Sequence, residues 1–194
     1  MNLGKVKVIM YYDDNRKKFG DISKHSIEKF AKRHGFDCSI TYKTSFGEDG
    51  MMFKPKFIRD HLNANDADWI VYVDSDIVFR RDASIEGLFE KPLNISTDSH
   101  LCVGFMTLKN IIRIRKFVNI WTDLGISKSL PLHDQGVFKL LYENFQWIED
   151  LVHPIPQTLV SNPRSETIGT IAHHFWSQWN DATGIMQQFI NELG

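Results

Sequence analysis

Two carboxylates directly follow an apolar run in the first half of the chain. Residues 69–73 read Trp-Ile-Val-Tyr-Val, and Asp74, Ser75 and Asp76 come next. On an extended backbone, side chains two residues apart point to the same side. A hard divalent cation relieves the repulsion between two such carboxylates and keeps positions open for phosphate oxygens. The motif therefore predicts a Mn²⁺ or Mg²⁺ site at Asp74 and Asp76. The alternative is that the two acids only cap a turn.

A further candidate ligand lies late in the chain, where His173 and His174 stand in an apolar stretch, residues 171–176. Imidazole joins carboxylates at sites of the Mn²⁺ type. Adjacent residues of a strand face opposite ways, so we expect only one of the two to reach the site. The alternative for either one is a core histidine with a hydrogen-bonded ring.

The hydrophobic pattern predicts the elements that must position these residues. Apolar or alternating runs predict strands at 6–10, 36–42, 69–73, 101–108 and 167–176. Helical spacing predicts helices over 22–31 with Gly35 as the C-cap, over 53–62, over 111–124, after Asp134, and after Asn180. Strands that alternate with helices indicate a Rossmann-like α/β sandwich with a mostly parallel sheet, which binds ligands at the carboxyl ends of its strands.

The end of the first predicted strand fits that rule. Tyr11, Tyr12 and Asp13 lie there. An aromatic face can stack on a nucleobase, and a carboxylate can accept from the base or the ribose. These residues are candidates for nucleotide binding, although a tyrosine at a strand end is often ordinary packing.

Composition bounds the remaining possibilities. With 194 residues, 42% of them hydrophobic, the chain is the size of one domain, residues 1–194. The 23 Lys and Arg nearly cancel the 24 Asp and Glu, which argues against a nucleic-acid partner. We find no run long enough for a membrane span and no secretory signal, so we expect a cytoplasmic protein. Cys38 and Cys102 are interpreted as ordinary buried thiols.

Several segments together resemble one enzyme family. Residues 53–59 (Phe-Lys-Pro-Lys-Phe-Ile-Arg) and 68–76 are similar to the plant and fungal galactosyl- and xylosyltransferases, which include galactomannan galactosyltransferases and xyloglucan xylosyltransferases. The similarity continues at 104–110, Trp121, 133–135 and 173–175. The resemblance implies a GT-A fold and a metal-dependent retaining transferase that moves a sugar from a UDP-sugar donor to a glycan or glycoprotein acceptor.

The same resemblance assigns roles to residues. It implies that Asp74 lies near the metal and the donor ribose, with Ser75 beside it. It makes Asp76 a direct metal ligand, His174 the ligand that completes the set, and Lys54 a donor-site residue.

The resemblance places the catalytic residues Asp134 and Gln135 at the reacting face of the donor sugar. Asp134 could instead N-cap a helix, since Asp is favoured there. Retention needs a protein nucleophile or a front-side attack, and the sequence leaves both open. We expect nucleotide binding from residues 1–110 and catalysis with acceptor binding from 111–194.

The sequence is shorter than those of that family, and we expect no membrane anchor or stem of the kind that its Golgi members carry. Its size is similar to the capsid-glycan glycosyltransferase domains of large chlorella viruses. That likeness implies a viral glycan acceptor in the host cytoplasm. The donor would then be UDP-glucose-like or a UDP-deoxysugar such as UDP-rhamnose, and UDP-galactose and UDP-xylose complete the candidate donor classes.

Two other functions compete with this interpretation. A phosphatase of the haloacid dehalogenase type also places Asp-x-Asp after an apolar strand, with Asp74 as nucleophile. That motif normally ends the first strand, whereas a strand-helix-strand unit precedes it here, and no Gly-Asp-x-x-x-Asp signature follows. The second competitor is a nonenzymatic module that binds a nucleotide or a metal.

Overall fold

The computed structural model describes residues 2–47, 52–97, 101–127, 133–161, 170–175, 184–187 and 191. Its strands are β1 (Val6–Tyr12), β2 (Asp37–Tyr42), β3 (Trp69–Val73), β4 (Ile77–Phe79), β5 (Leu93–Thr97), β6 (Leu101–Lys109), β7 (Val152–Ile155), β8 (Val160–Ser161) and β9 (Ala172–His174). Its helices are α1 (Lys17–His34), α2 (Phe53–Ala64), α3 (Ile112–Ser127), α4 (His133–Asn144) and α5 (Gln146–Glu149), and a 3-10 turn covers Asp14–Arg16.

Six of these strands form the central sheet, in the order β2-β1-β3-β6-β5-β7. Neighbouring strands are parallel except at β6, which runs antiparallel to both β3 and β5. Because β6 is reversed, its first residues lie at the edge where β3 ends. This edge therefore carries side chains from the end of one strand and the beginning of another.

The central sheet is buried on both faces, which explains why its strands are continuous apolar runs. On β3, Ile70 and Tyr72 belong to a core built with α2, α3 and α4. Val71 and Val73 belong to the opposite core, which includes residues of α1. The molecule is thus a three-layer α/β/α sandwich, and the predicted fold class is confirmed.

A second, smaller sheet has the order β4-β9-β8. Strand β4 begins just after Asp76, and it pairs antiparallel with β9, with Ile77 opposite His174. A distant part of the chain is thereby carried to the carboxyl edge of β3.

Most predicted elements are confirmed, with boundaries shifted by a few residues at their ends. Gly35 closes α1 in the left-handed conformation, with φ 68°, and its N–H bonds to Ala31 and Lys32 carbonyls, as the C-cap prediction required. The late strand predicted for 167–176 is wrong in extent, because within 170–175 only Ala172–His174 is a strand. Asn180 lies outside the described residues, and 184–187 is helical.

The prediction omitted strands β4, β5, β7 and β8 and helix α5 altogether. Among the described residues, no helix combines the length and the apolar character needed to cross a membrane. The organisation as one domain stays a prediction.

Candidate metal and catalytic site

The two acids of the Asp-x-Asp motif are placed by a tight turn at the end of β3. Asp74 N donates to Gly104 O of β6 at 2.8 Å, and Ile77 N donates to Asp74 O at 3.2 Å. The expectation of an extended backbone through Asp76 is therefore wrong: Ser75 and Asp76 form a turn. The Ser75 carbonyl is fixed from the other side, since it accepts from Ser23 Oγ of α1 at 2.6 Å.

His174 reaches the motif through the pairing of β4 with β9. The backbone N–H of Phe175 donates to Asp76 O at 2.8 Å, which anchors this segment beside the turn. His174 Nε2 then lies 3.2 Å from Asp76 Oδ1. His173, its neighbour on β9, is fully buried, and burial, with a smaller contribution from Arg80, lowers the pKa of His173 to about 4. His174 is therefore the imidazole at the motif.

Asp74, Asp76 and His174, here called the histidine cluster, meet the requirements of a divalent metal site. One ligand atom from each lies within 4.8 Å of the others, and none of the three residues is exposed. Two carboxylate oxygens and one imidazole nitrogen suit Mn²⁺, and such a set leaves coordination positions for other oxygens. The donor set fits a metal, and the choice between Mn²⁺ and Mg²⁺ stays a prediction.

Charge in the histidine cluster is balanced by the imidazole. Burial opposes ionisation of both partners, yet Asp76 raises the pKa of His174 well above its usual value. In return the His174 imidazolium holds the pKa of Asp76 below its ordinary range, despite burial. A metal ion at this position would take over the role of that positive charge.

A second charged group lies on the other side of Asp74. Lys54 of α2 places its Nζ 3.1 Å from Asp74 Oδ2 and 2.6 Å from Asp134 Oδ2 of α4. Lys54 and Asp134 side chains are each only 6% exposed, so this ion pair is cut off from water. We call Lys54, Asp74 and Asp134 the lysine cluster.

The electrostatics of the lysine cluster follow from this burial. Removal from water disfavours the Lys54 ammonium, but the Asp134 and Asp74 carboxylates outweigh that cost and raise the pKa of Lys54. Burial raises the pKa of Asp74, and the neighbouring Asp76 and Asp134 add to it, while Lys54 works in the opposite direction. Tyr72 donates its hydroxyl to Asp74 Oδ1 at 2.5 Å.

Asp134 occupies the first turn of α4 rather than the position before the helix. Its carboxylate contacts Lys54, and its backbone carbonyl accepts from Trp121 Nε1 of α3 at 2.9 Å. The capping alternative is thus not the geometry observed. Gln135 follows Asp134 in the same turn and is partly buried. The structure therefore joins Asp134 to the metal motif through one shared lysine.

The three residues at the end of β1 have separate surroundings. Tyr11 lies on the Tyr72 face, in edge contact with Phe46, Phe53 and Phe57. Tyr12 belongs to the opposite core, and its hydroxyl donates to Asp21 Oδ1 at 2.9 Å.

Asp13, the last of the three, accepts from Asn15 N at 3.0 Å and so caps the 3-10 turn. Of the three, Tyr11 is the one whose pKa is influenced by Lys54, Asp74 and Asp134, although burial is the main reason that its pKa is raised. The structure associates Tyr11 with the lysine cluster and gives Tyr12 and Asp13 local partners.

Sequence reasoning missed three residues of this site. The apolar run around Tyr72 predicts a core residue, although the position of Tyr72 two residues before Asp74 also indicates a shared face. The expectation of ordinary buried thiols is wrong for Cys38, which is exposed, and incomplete for Cys102, whose Sγ lies 3.6 Å from His174 Nδ1. Gly104 lies in a segment that carries the family resemblance, but residue spacing does not predict that His174 packs against Gly104.

Comparisons with known proteins show which solved structures have the same fold. No known family and no curated protein matches this sequence. The structure, however, is similar to a glycosyltransferase involved in the glycosylation of the major capsid of PBCV-1. The two chains are 11% identical, the match covers 95% of this chain and 99% of that one, and the TM-score is 0.76.

Two further glycosyltransferases share the architecture. The apo form of GlyE from Streptococcus pneumoniae TIGR4 is 13% identical, with 95% of this chain and 60% of that chain covered and a TM-score of 0.65. The galactosyltransferase LgtC, solved with donor and acceptor sugar analogs, is 11% identical, with 96% of each chain covered and a TM-score of 0.61. The expected GT-A fold is therefore confirmed, while the narrower resemblance to galactosyl- and xylosyltransferases stays a prediction.

Proposed function

We propose that this chain is a metal-dependent glycosyltransferase that moves a sugar from a UDP-sugar to a glycan or glycoprotein acceptor. One observation carries the proposal: the histidine cluster lies at the carboxyl edge of β3, on the fold that the three glycosyltransferases share. In open α/β sheets that edge is where ligands bind. A bare acidic pair would be a weaker argument than two acids completed by an imidazole from another sheet.

Asp74, Asp76 and His174 would hold the ion, Mn²⁺ or Mg²⁺. When bound, such an ion stabilises the negative charge that develops on a departing diphosphate. Two backbone hydrogen bonds hold the acids in place without the ion: Asp74 N donates to Gly104 O, and Phe175 N donates to Asp76 O. Ligands held in place in advance need little reorganisation during the reaction.

Lys54 and Asp134 provide the other half of the proposed chemistry. The Lys54 ammonium contacts the carboxylates of Asp74 and Asp134 and so holds them near one another. The Asp134 carboxylate beside the donor sugar can stabilise positive charge on the anomeric carbon or attack it, with Gln135 next to it in the same helical turn. Retention of configuration belongs to the proposal, and either a nucleophile or a front-side path is compatible with this arrangement.

Nucleotide binding is proposed for the end of β1 and the turn after β3, with Tyr11, Tyr12, Asp13, Lys54, Asp74 and Ser75 as the candidate residues. Tyr11 has the strongest support, because it borders the lysine cluster. The capsid glycosylation named for the PBCV-1 protein suggests a viral glycan as one acceptor to test. UDP-glucose, UDP-galactose, UDP-xylose and UDP-rhamnose are the donors to test first.

The phosphatase alternative is less well supported by the site. Its nucleophilic aspartate would be Asp74, which follows the third strand rather than the first and is already hydrogen-bonded to Tyr72 and Lys54. A nonenzymatic binding module would have no need of the buried Lys54–Asp134 pair beside the motif. That pair favours an enzyme.

The test is a thermal-shift screen of the four UDP-sugars with and without Mn²⁺, followed by an assay for UDP release. A bound donor raises the apparent stability by mass action, by about 2.7 kcal/mol at a hundredfold excess over its dissociation constant. We expect stabilisation by at least one UDP-sugar and slow Mn²⁺-dependent release of UDP. Release of phosphate from a generic phosphomonoester, with no response to UDP-sugars, would overturn the proposal.

Asp76→Ala is the decisive variant for the metal. It removes one carboxylate ligand, and we expect Mn²⁺-dependent UDP release to disappear. Asp82→Asn is the matched control, because Asp82 is an exposed surface acid paired with Arg80. Full turnover by Asp76→Ala with Mn²⁺ would contradict the assignment of the metal ligands.

A further inference from the structure

The His174 ring packs against the first residues of β6. Cys102 and Gly104 are two apart on this strand, so their side-chain positions share one face. Cys102 Sγ lies 3.6 Å from His174 Nδ1, within the range of a hydrogen bond to sulfur. A Cβ built on Gly104 would lie 2.6 Å from His174 Cε1. Residues on one face of β6 thus lie beside both Nδ1 and Cε1 of the His174 ring.

The two nitrogens of His174 therefore have different partners. Nε2 lies 3.2 Å from Asp76 Oδ1, inside the histidine cluster, whereas Nδ1 faces the buried thiol of Cys102. A ligating histidine usually bonds through its second nitrogen to an outer group that fixes the ring orientation. The customary partner is a carboxylate, a backbone carbonyl or water, and here the thiol occupies that place.

We propose that Cys102 is a positioning residue for His174: its sulfur accepts from Nδ1–H, so that Nε2 is presented to the metal beside Asp74 and Asp76. The inference rests on the metal role proposed above. This role explains why Cys102, which is only 8% exposed, directs its thiol to the imidazole of His174. Gly104 contributes by leaving room for the ring.

Two variants separate hydrogen bonding from packing. Cys102→Ser keeps a group that can accept from Nδ1–H, while Cys102→Val keeps apolar volume and suits a strand. Loss of an outer partner of a metal ligand typically weakens metal binding about 10- to 100-fold. We expect Cys102→Val to weaken Mn²⁺ binding by about tenfold, measured by titration with electron paramagnetic resonance detection, and Cys102→Ser to weaken it by less than about threefold.

Cys38 supplies the control, because it is the other cysteine of the chain and lies exposed on β2. Cys38→Ser should leave Mn²⁺ affinity unchanged. Thermal denaturation without metal should give similar Tm values for the Ser and Val variants of Cys102, which shows that both fold. Equal Mn²⁺ affinity in wild type and Cys102→Val, or weaker binding by Ser than by Val, would overturn the inference.

A crystal structure of each variant without metal tests the same inference apart from the proposed function. We expect the wild-type ring orientation in Cys102→Ser and more than one orientation in Cys102→Val. A single wild-type orientation in Cys102→Val would refute the positioning role. Failure of the wild type to bind Mn²⁺ would refute the proposed metal site instead, and the ring orientations would still decide the role of Cys102.

Discussion

The lysine cluster and the histidine cluster share Asp74 but balance their carboxylates in different ways. In the lysine cluster a buried ammonium is held between Asp74 and Asp134, and its pKa is raised so far that it keeps its proton. In the histidine cluster the balancing group is an imidazole, which can give up its proton and bind a metal through the freed nitrogen.

The positive charge that compensates the carboxylates is therefore permanent in the lysine cluster and exchangeable in the histidine cluster. On one side the cation is a lysine ammonium in contact with both of its carboxylates. On the other side the cation is the His174 imidazolium, which can lose its proton. A divalent ion can therefore bind there without a positive charge opposite it. Asp74 stands at the boundary, which accounts for the several opposing influences on its pKa.

Removing the fixed cation should have the largest effect on stability. Lys54→Met leaves the buried Asp134 carboxylate without its partner, and breaking one side of a buried pair costs about 3–5 kcal/mol. We expect a loss of that size in the free energy of unfolding, measured by urea denaturation. A loss below about 1 kcal/mol would show that water or rearrangement compensates Asp134.

The double variant Lys54→Met/Asp134→Asn sharpens this measurement. Because the second change removes the unpaired charge, the double variant should be more stable than Lys54→Met alone. Additive destabilisation would mean that the two residues are energetically independent, contrary to their 2.6 Å contact.

Asp134→Asn alone should affect the rate of the reaction more than donor binding. The amide keeps the shape of the side chain but removes the charge proposed to act at the donor sugar. We expect kcat to fall by about 100-fold or more, while KM for the donor changes by less than about threefold. Steady-state kinetics would test this, with Asp123→Asn on the exposed face of α3 as control. An unchanged kcat would leave Asp134 a structural role only.

Gly104→Ala should damage the histidine cluster and leave the lysine cluster largely intact. The added Cβ would lie 2.6 Å from His174 Cε1 and 3.1 Å from Asp74 Oδ2, so the ring must move. We expect Mn²⁺ affinity to fall by about tenfold. His174→Gln is the reference for loss of the ligand, and wild-type affinity in Gly104→Ala would show that the ring can shift without cost.

Lys56→Met should have the smallest effect on the free energy of unfolding, and it is the control for Lys54→Met. Lys56 lies on the same helix as Lys54, and it pairs with Asp60 at 2.8 Å, but its side chain is 46% exposed. Exposed pairs of this spacing contribute about 0.3–0.5 kcal/mol. Urea denaturation should therefore show a change below about 0.5 kcal/mol, and a larger loss would mean that Lys54→Met acts through α2 itself.

The sequence was sufficient to predict the elements whose periodicity is strong. Strand β3 was predicted with its exact ends, because five apolar residues are bounded by a polar segment and an acidic turn. Strand β5 was missed because Pro92 and Asn94 suggest a loop. The buried Asn94 side chain accepts from the backbone N–H groups of Glu90 and Lys91. It also donates to Thr107 Oγ1 of β6, a contact between strands that no local pattern reveals.

The site could be predicted only in part for the same reason. Asp74 and Asp76 are adjacent in sequence to a recognisable strand, and His174 follows an apolar run. The link from Lys54 to Asp134 depends on how α2 and α4 pack on the same face of the sheet. The contact of Cys102 with His174 depends on the reversal of β6 and on the separate pairing of β4 with β9. Long-range geometry of this kind is absent from residue spacing.

The pairing of β9 with β4 also has a consequence for the nascent chain. His174 is made about a hundred residues after Asp76, which at typical rates of synthesis means a delay on the order of 5–20 seconds. During that interval the two aspartates stand without their imidazole. A chain still on the ribosome thus offers a metal ion two ligands, and the complete trio exists once the later segment has docked.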